Sequence, residues 1–496
     1  MDEDEPLTAE RVAAIARAVG VETGAERAEQ IRTEVVGSLG GYEALTGDMT
    51  AWAPAADRDP AVTVDPAPDV DPHDAFTSTF EVGGGTGPLA DLAVAVKDNI
   101  AVGGVPLTCG SAVFADAVPA GDAAVVERLL AAGATLTGKT DMDELAYAPT
   151  GETSAFGTAK NPAAPGRVPG GSSSGSAAAV AGGHVDAALG TDTGGSVRIP
   201  AAFCDVVGFK PTWGVVPTDG VVELSYTLDH VGPLARDVRT AARVAETIAD
   251  GPAGDGLVDA VADPPAVDTL SLGVPAEFFG DHVTETVERT VRERVDDLAA
   301  AGATVREVSV PLVTAAVETW NAVVNVEFAT FLEAAATPLF RRGRVDAAWH
   351  RDAAAGIADP ERAFGDVVER KAVEGKYVVR ELGADPYVAA RNRSRALAEQ
   401  FAAALKGLDA LVTPTMATEP IETSTWNPHT YSGGGDDEAP PLAVNTRPAD
   451  LAGIPAVSVP AGTDDTLPVG IQFMGPEGAD ADVLATAAAF EAFRAD

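Results

Sequence analysis

The stretch "VDAALGTDTGGSVRIPAAFCDVVGFKP", Val185–Pro211, decides how the remainder of the chain is read. Val185–Asp192 is a short run of small and apolar residues, as expected of a strand buried on both faces. "IPAAFCDV" begins a helix with Pro200 in its first turn, where a missing N–H is tolerated. "DVVGFKP" then supplies a second strand. At the junction, "DTGGS" can turn several successive backbone N–H groups toward one point, because glycine reaches the conformations this needs. Such a nest suits a negative oxygen, and Ser196 at its end would have oxyanion donors beside it.

Apolar strand-like runs and helices alternate outward from this segment. "LAVAV" (Leu92–Val96) leads into Lys97, and "AAVVERLLAAG" (Ala123–Gly133) is a helix closed by glycine. "ATLTGKT", "LSLGVP", "ALVTPT" and "PAVSVPAG" are further strand candidates, while residues 316–405 read as mainly helical. The pattern predicts an α/β fold: a mixed, mostly parallel β-sheet covered by helices on both sides. A small N-terminal helical segment of two or three amphipathic helices and a linker rich in Pro, Asp and Ala (Ala53–Phe76) precede it. The expected division is 1–75 and 76–496. No internal repeat is evident.

Composition narrows the function. The 496 residues carry 34 Lys+Arg against 75 Asp+Glu, a net charge of −41 spread along the chain. A solvated acidic surface of this kind suits a salt-rich, halophilic cytosol, where screening weakens self-repulsion. It disfavours nucleic acid, whose phosphates need a basic face. Two cysteines, Cys109 and Cys204, cannot form a disulfide framework and are expected as buried, reduced thiols. The acidic N-terminus lacks a signal-peptide pattern, and no apolar run is long enough to span a membrane, so a cytoplasmic location without membrane contact is expected.

Three motifs compete for the chemistry. "GATLTGKT" (Gly133–Thr140) fits the phosphate-loop pattern, yet a helix enters it and strand formers fill it, the reverse of what that loop requires. "GSSSG" (Gly171–Gly175) fits G-x-S-x-G around Ser173, but loop precedes it. Its late histidine, His429, lies among Pro and Gly. The third is Ser196 with Lys97 and Ser172. A lysine at the end of a buried strand either snorkels to solvent or, kept dry, loses its proton and serves as a base. Ser172 can both donate and accept a proton between them.

The motifs "AVKDNI", "LLAAGATLTGKTDMDELAY", "GGSSSGSAAAVAGG", "ALGTDTGGSVRIPAAFCDVVGFKPTWG" and "LAGIPAVSVPAG" together resemble the amidase signature family, in its order, from about Pro88 to near the C-terminus. The resemblance implies Ser196 as nucleophile, Ser172 as bridging serine with a cis peptide bond, and Lys97 as base. It implies an oxyanion hole of the Thr193, Gly194, Gly195 and Ser196 amides, with Asp192 and Arg198 holding the loop. Ala146 falls where a backbone carbonyl meets substrate. Ser173, Ser174 and Ser176 are left as structural, setting the loop and capping the helix after it. The family pattern often has Gly where Ser174 stands.

Within the family, "YTLDHVGPLAR", "WNAVV" and "NTRPADLAGIPAVSVPAG" look closer to free-standing acylamide amidohydrolases of the nitrile-metabolism type. They add Trp320 and Asn445 as substrate-binding residues. That branch implies hydrolysis of a small amide to carboxylate and ammonia by a homodimer or larger homo-oligomer, with no metal and no cofactor. The alternatives are the glutamine-hydrolysing, A-type subunit of a tRNA-dependent amidotransferase and a catalytically silent binding module. Against the former, Trp320–Asn321 stand where it has a tyrosine pair, Lys371 follows Arg370 where it has adjacent arginines, and Ala443 replaces an aspartate.

The acidic surface carries a prediction. Circular dichroism of the purified chain is expected to lose signal on dialysis from molar salt into low salt; an unchanged spectrum would contradict adaptation to high salt.

Overall fold

The structure is a computed structural model that describes residues 7–18, 21–47, 62–65, 71–340, 344–423, 442–463 and 467–495. By packing, the chain divides into Met1–Pro54 and Ala55–Asp496. The first unit holds two helices, Ala9–Ala18 and Ala25–Gly47. The packing boundary falls earlier than residue 75, because Asp65 already bridges to Thr79 within the second unit.

The second unit is built on an 11-stranded sheet. Its strands are β1 (Phe76–Gly83), β2 (Ala93–Lys97), β3 (Thr135–Thr140), β4 (Ala187–Asp192), β5 (Val207–Lys210), β6 (His230–Ala235), β7 (Ser271–Pro275), β8 (Thr304–Val308), β9 (Ala410–Pro414), β10 (Ala456–Thr463) and β11 (Pro468–Met474). The order is β1-β3-β2-β4-β6-β5-β10-β11-β9-β7-β8. Every residue of β4, β5, β6, β9 and β11 is buried, so both faces are covered. The four helices Ala316–Glu333, Ala347–Ala358, Asp366–Tyr377 and Asp385–Ala404 fill the region read as helical.

The sheet is mixed, but parallel pairing is scarcer than expected. β2 pairs parallel with β3 and β4, and β7 with β8 and β9, whereas the six other pairings among the described residues are antiparallel. Three strands that sequence reading did not name, β1, β6 and β11, make five of the six antiparallel pairings. β6 carries Gly232 and Pro233, which disguise it, and it runs antiparallel to both neighbours. Pro233 stands opposite Leu189 in the β4–β6 ladder and outside the two registered pairs of the β5–β6 ladder, Val207↔Ala235 and Gly208↔Leu234. β11 returns directly on β10, with Thr463 paired to Pro468, a hairpin that only antiparallel strands can make.

The phosphate-loop lookalike is a helix end and a strand. Gly133 takes φ +89° after the helix Ala124–Ala131, and residues 135–140 are β3. Lys139 is fully buried, 3.5 Å from Asp98. Cys109 and Cys204 are free and buried. Among the described residues, no helix is long and apolar enough to cross a membrane.

β2 and β4 position the chemistry. They are parallel neighbours with Val96 opposite Leu189, so Lys97 and the glycine turn after Asp192 emerge from the same edge of the sheet. In open α/β sheets the carboxyl ends of strands are where ligands sit.

Candidate active site

Lys97 is wholly buried, and its Nζ donates to Ser172 Oγ and to Thr191 Oγ1, each at 2.8 Å. Burial pushes its ammonium down to about 7, although Asp143, Asp192 and Asp229 pull the other way. The snorkelling alternative is thereby removed: the stem has no path to solvent. Ser172 follows a cis peptide bond from Gly171 and opens the segment leading into the helix Ser174–Ala181. Ser173 N donates to the Ser196 carbonyl at 3.3 Å, which lays this segment beside the glycine turn.

The neighbouring serines are ties. Ser173 Oγ donates to the Thr191 carbonyl and accepts from Thr191 N, Ser174 Oγ donates to the Asp141 carbonyl, and Ser176 Oγ donates to the Leu189 carbonyl. Ser173 and Ser176 tie this segment to β4 and Ser174 ties it to the residue after β3, while Ser173 makes no side-chain cap. His429 lies outside the described residues. His184 instead meets His73 at 2.9 Å, with Asp71 at 3.8 Å.

The turn 193–196 is held peptide by peptide. Trp320 Nε1 donates to the Thr193 carbonyl at 2.8 Å, and Thr446 Oγ1 donates to the Gly194 carbonyl at 2.6 Å. In a planar trans peptide the N–H points away from its carbonyl, so these bonds aim the amides of Gly194 and Gly195. The Gly195 amide donates to Asp192 Oδ1 at 2.6 Å. This departs from the expected oxyanion hole, in which the Gly195 amide was one of the free donors: here the buried Asp192 carboxylate takes it. Both glycines are required. Gly195 has φ +129°, and a Cβ on Gly194 would come within 2.8 Å of the Trp320 ring nitrogen.

Beneath the turn, Arg198 is fully buried among acceptors. Its Nε and Nη2 donate to Asp192 at 3.0 Å each, Nη2 to Asp450 at 2.7 Å, and Nη1 to Gln472 at 2.8 Å and the Thr446 carbonyl at 3.0 Å. Burial alone would raise the Asp192 carboxyl, but the guanidinium beside it wins and holds it below the usual range. Asp450 goes the other way: burial and the ionised Asp192 beside it push its carboxyl well up, against the pull of Arg198. Burial also lowers Lys210 to about 8 and keeps His230 neutral. His230 then donates from Nδ1 to the Asp192 carbonyl and accepts at Nε2 from Lys210. Asp192 and Arg198 thus brace the loop, and Asp450 and Lys210, which sequence reading missed, complete the brace.

A pocket of about 280 Å³ opens at Ser196, lined by Ala146, Tyr147, Gly194, Leu224, Trp320, Ala443 and Arg447 among others. Ala146 and Trp320, both named from the sequence, are among the lining residues. Asn445 is not: it is buried, and its Nδ2 donates to the carbonyls of Phe278 and Pro414 at 3.2 Å each. Its side chain ties loops together, and its neighbours Ala443 and Arg447 face the pocket in its place. The Arg447 guanidinium stacks on Trp320, 4.2 Å from the ring centroid. A second pocket of about 490 Å³, walled by Leu107, Phe331 and Trp349, shares no residue with it.

Lys97, Ser172 and the braced glycine turn that ends in Ser196 thus come together beyond the ends of β2 and β4. The sequence profile of the Amidase family matches residues 67–484, and the chain belongs to that family. Its curated relatives include the A-type subunit of the Haloarcula marismortui glutamyl-tRNA(Gln) amidotransferase, 43% identical over 81% of this chain and 95% of the relative. The same subunit of Halobacterium salinarum is 42% identical over 84% and 98%. Among solved structures, the corresponding glutamyl-tRNA(Gln) amidotransferase subunit of Thermotoga maritima superposes with a TM-score of 0.67 at 32% identity, covering 84% of this chain and 87% of that one. A 6-aminohexanoate cyclic dimer hydrolase superposes with 0.71 at 25%, covering 82% and 86%.

These findings correct two expectations. The likeness to free-standing acylamide amidohydrolases yields to the amidotransferase relatives, which match along most of the chain. The expected partners, a small amide alone, no nucleic acid and a homo-oligomer, are overturned by the same relatives. Each is named as one subunit of an enzyme whose named substrate is a tRNA. The halophilic expectation is in line with relatives from halophilic archaea.

The brace under the turn is testable. Arg198→Met leaves the buried Asp192 carboxylate without its cation and is expected to destabilise the fold by about 3–5 kcal/mol, read as a fall in chemical-denaturation midpoint. A midpoint unchanged from the parent would contradict the brace.

Proposed function

We propose that this chain is the amide-hydrolysing subunit of a tRNA-dependent amidotransferase, freeing ammonia at Ser196. The observation that carries the chemistry is Lys97, buried, near neutrality at about pH 7 and 2.8 Å from Ser172 Oγ. The relatives, matched over 95% of the length of the Haloarcula protein, support the assignment to the A-type subunit.

In this reading neutral Lys97 takes the Ser196 proton through the Ser172 hydroxyl while Ser196 Oγ attacks the amide carbonyl carbon. The carbonyl oxygen becomes an oxyanion facing the Thr193, Gly194 and Ser196 amides. On collapse the C–N bond breaks, the relay returns the proton to the nitrogen, and ammonia departs. Water then releases the acyl group from Ser196 by the same route, the relay taking its proton. Ammonia passes to a glutamyl-tRNA held by a partner subunit.

One observation favours a second reading, free hydrolysis of a simple carboxamide. The described lining is mainly apolar around Ala146, Leu224 and Ala443, with no carboxylate to hold an amino acid's ammonium.

The assignment is tested by adding the chain to the tRNA-binding components of a haloarchaeal amidotransferase that lacks its own amide-hydrolysing subunit. Glutamine-dependent amidation of glutamyl-tRNA(Gln) is expected, lost with Ser196→Ala. Ammonia release from simple amides without any amidation would select the second reading. The base is tested by pH. Lys97 must be neutral, so kcat/KM is expected to climb about tenfold per pH unit below about pH 7 and level off above. Lys97→Arg, which cannot deprotonate, should abolish turnover. A profile flat from roughly pH 6 to 9 would contradict the assignment.

A further inference from the structure

We propose that Asp71, His73 and His184 form a binding site for one divalent first-row transition-metal ion, which clips the turn before β1 to the turn after the helix Ser174–Ala181. The site stands apart from the Ser196 chemistry. It lies at the other end of that helix from Ser172, and the helix's 8 residues span about 12 Å.

His73 Nδ1 and His184 Nε2 face each other at 2.9 Å, and Asp71 Oδ1 is 3.8 Å from the same His184 nitrogen. The three ligand atoms all lie within 4.8 Å of one another, the one such group of histidine, cysteine or carboxylate side chains among the described residues. With metal–nitrogen bonds of about 2.0–2.1 Å, two nitrogens at right angles on one ion stand about 2.9 Å apart, so the rings are already spaced for neighbouring positions. Without an ion, one ring N–H bridges the pair. When the ion enters, that proton moves to the other nitrogen of its own ring, and both lone pairs turn to the metal. The Asp71 oxygens accept from the backbone N–H groups of His73 at 3.1 Å and Phe76 at 2.9 Å. These bonds orient the carboxylate, as hydrogen bonds behind a ligand do at metal sites, and leave a lone pair on each oxygen. The Asp71 side chain is only 6% exposed. The His73 carbonyl accepts from Lys160 N at 2.7 Å, and His184 N donates to the Ala179 carbonyl at 2.9 Å, so both ring-bearing turns are fixed. Gly182 makes room for the rings: a Cβ there would come within 2.6 Å of His73 Nδ1 and 2.9 Å of His184 Nε2.

Two imidazoles and one carboxylate suit Zn²⁺, Co²⁺ or Ni²⁺, whereas Mg²⁺ and Ca²⁺ seek oxygen alone. That preference separates the cluster from the acidic surface, which attracts any dication. His73 and His184 are 111 residues apart, so the sequence carried no local metal spacing. The test is calorimetric titration of Zn²⁺ into the tag-free, chelator-stripped full chain in molar salt with excess Mg²⁺. One Zn²⁺ per chain is expected to bind in the presence of the Mg²⁺ and to raise the thermal unfolding midpoint. His73→Gln and His184→Gln should each weaken Zn²⁺ roughly 10-fold or more and remove the rise in midpoint. X-ray absorption at the zinc edge of the unsubstituted chain should show imidazole nitrogen and carboxylate oxygen around the ion.

No bound Zn²⁺, or Zn²⁺ displaced by the Mg²⁺, would overturn the proposal and leave an ordinary hydrogen-bonded ring pair. Zn²⁺ affinity unchanged in both histidine variants would overturn it as well, as would a zinc edge showing sulfur or oxygen alone. The absorption measurement needs no substitution, so it decides even if the variants fail to fold.

Discussion

The structure depends on keeping one amine dry. Lys97 ends β2 inside the protein, and desolvation makes its charged form costly enough to bring an ordinary lysine near neutrality. Each neighbouring feature serves that condition. The parallel register of β2 and β4 brings Thr191 to its Nζ, and the Gly171–Ser172 link sets the bridging hydroxyl there as well. Histidine is unnecessary, because burial does for a lysine what intrinsic acidity does for an imidazole.

A second buried cation serves the opposite purpose. Arg198 cannot lose its charge, so it is surrounded by Asp192, Asp450, Gln472 and a carbonyl. Two carboxylates on one guanidinium divide the labour: Asp192 stays ionised and fixes the Gly195, Val197 and Arg198 amides, while Asp450 is pushed toward its protonated form. A backbone turn rich in glycine would otherwise be loose. Here its carbonyls are tied to Trp320 and Thr446 from above and its Gly195 amide to Asp192 from below. The same Trp320 orders the pocket, linking the nest to Arg447.

Much of this was legible in the sequence, for a physical reason. Strands buried on both faces leave uniform apolar runs, so "LAVAV" and "ALVTPT" showed themselves, as did the helix cap at Gly133. β6 did not, since "HVGPLA" carries two residues that normally break strands. That Lys97, Ser172 and the turn at Ser196 would meet was readable because they occupy short motifs with fixed spacing. The amide donors were only partly so: nothing local distinguishes Gly195, whose N–H is claimed by Asp192, from Gly194. The pocket wall was least readable. Asn445 and Arg447 sit two residues apart in "NTRPAD", and only the fold decides that the asparagine ties loops while the arginine turns to the cavity. Asp450 and Lys210 are distant in sequence from Arg198, so their convergence needed the sheet.

The account turns on the protonation state of Lys97, and direct titration tests it without assuming any substrate. Lysine side chains labelled with ¹³C at Cε, followed by NMR across pH in the full chain and assigned with Lys97→Arg, report each amine's midpoint. The account predicts a midpoint for Lys97 at about 7, well below 10.5, the ordinary lysine value. A Lys97 that keeps its proton to roughly pH 10, like a solvated lysine, would contradict it and require another base for Ser196.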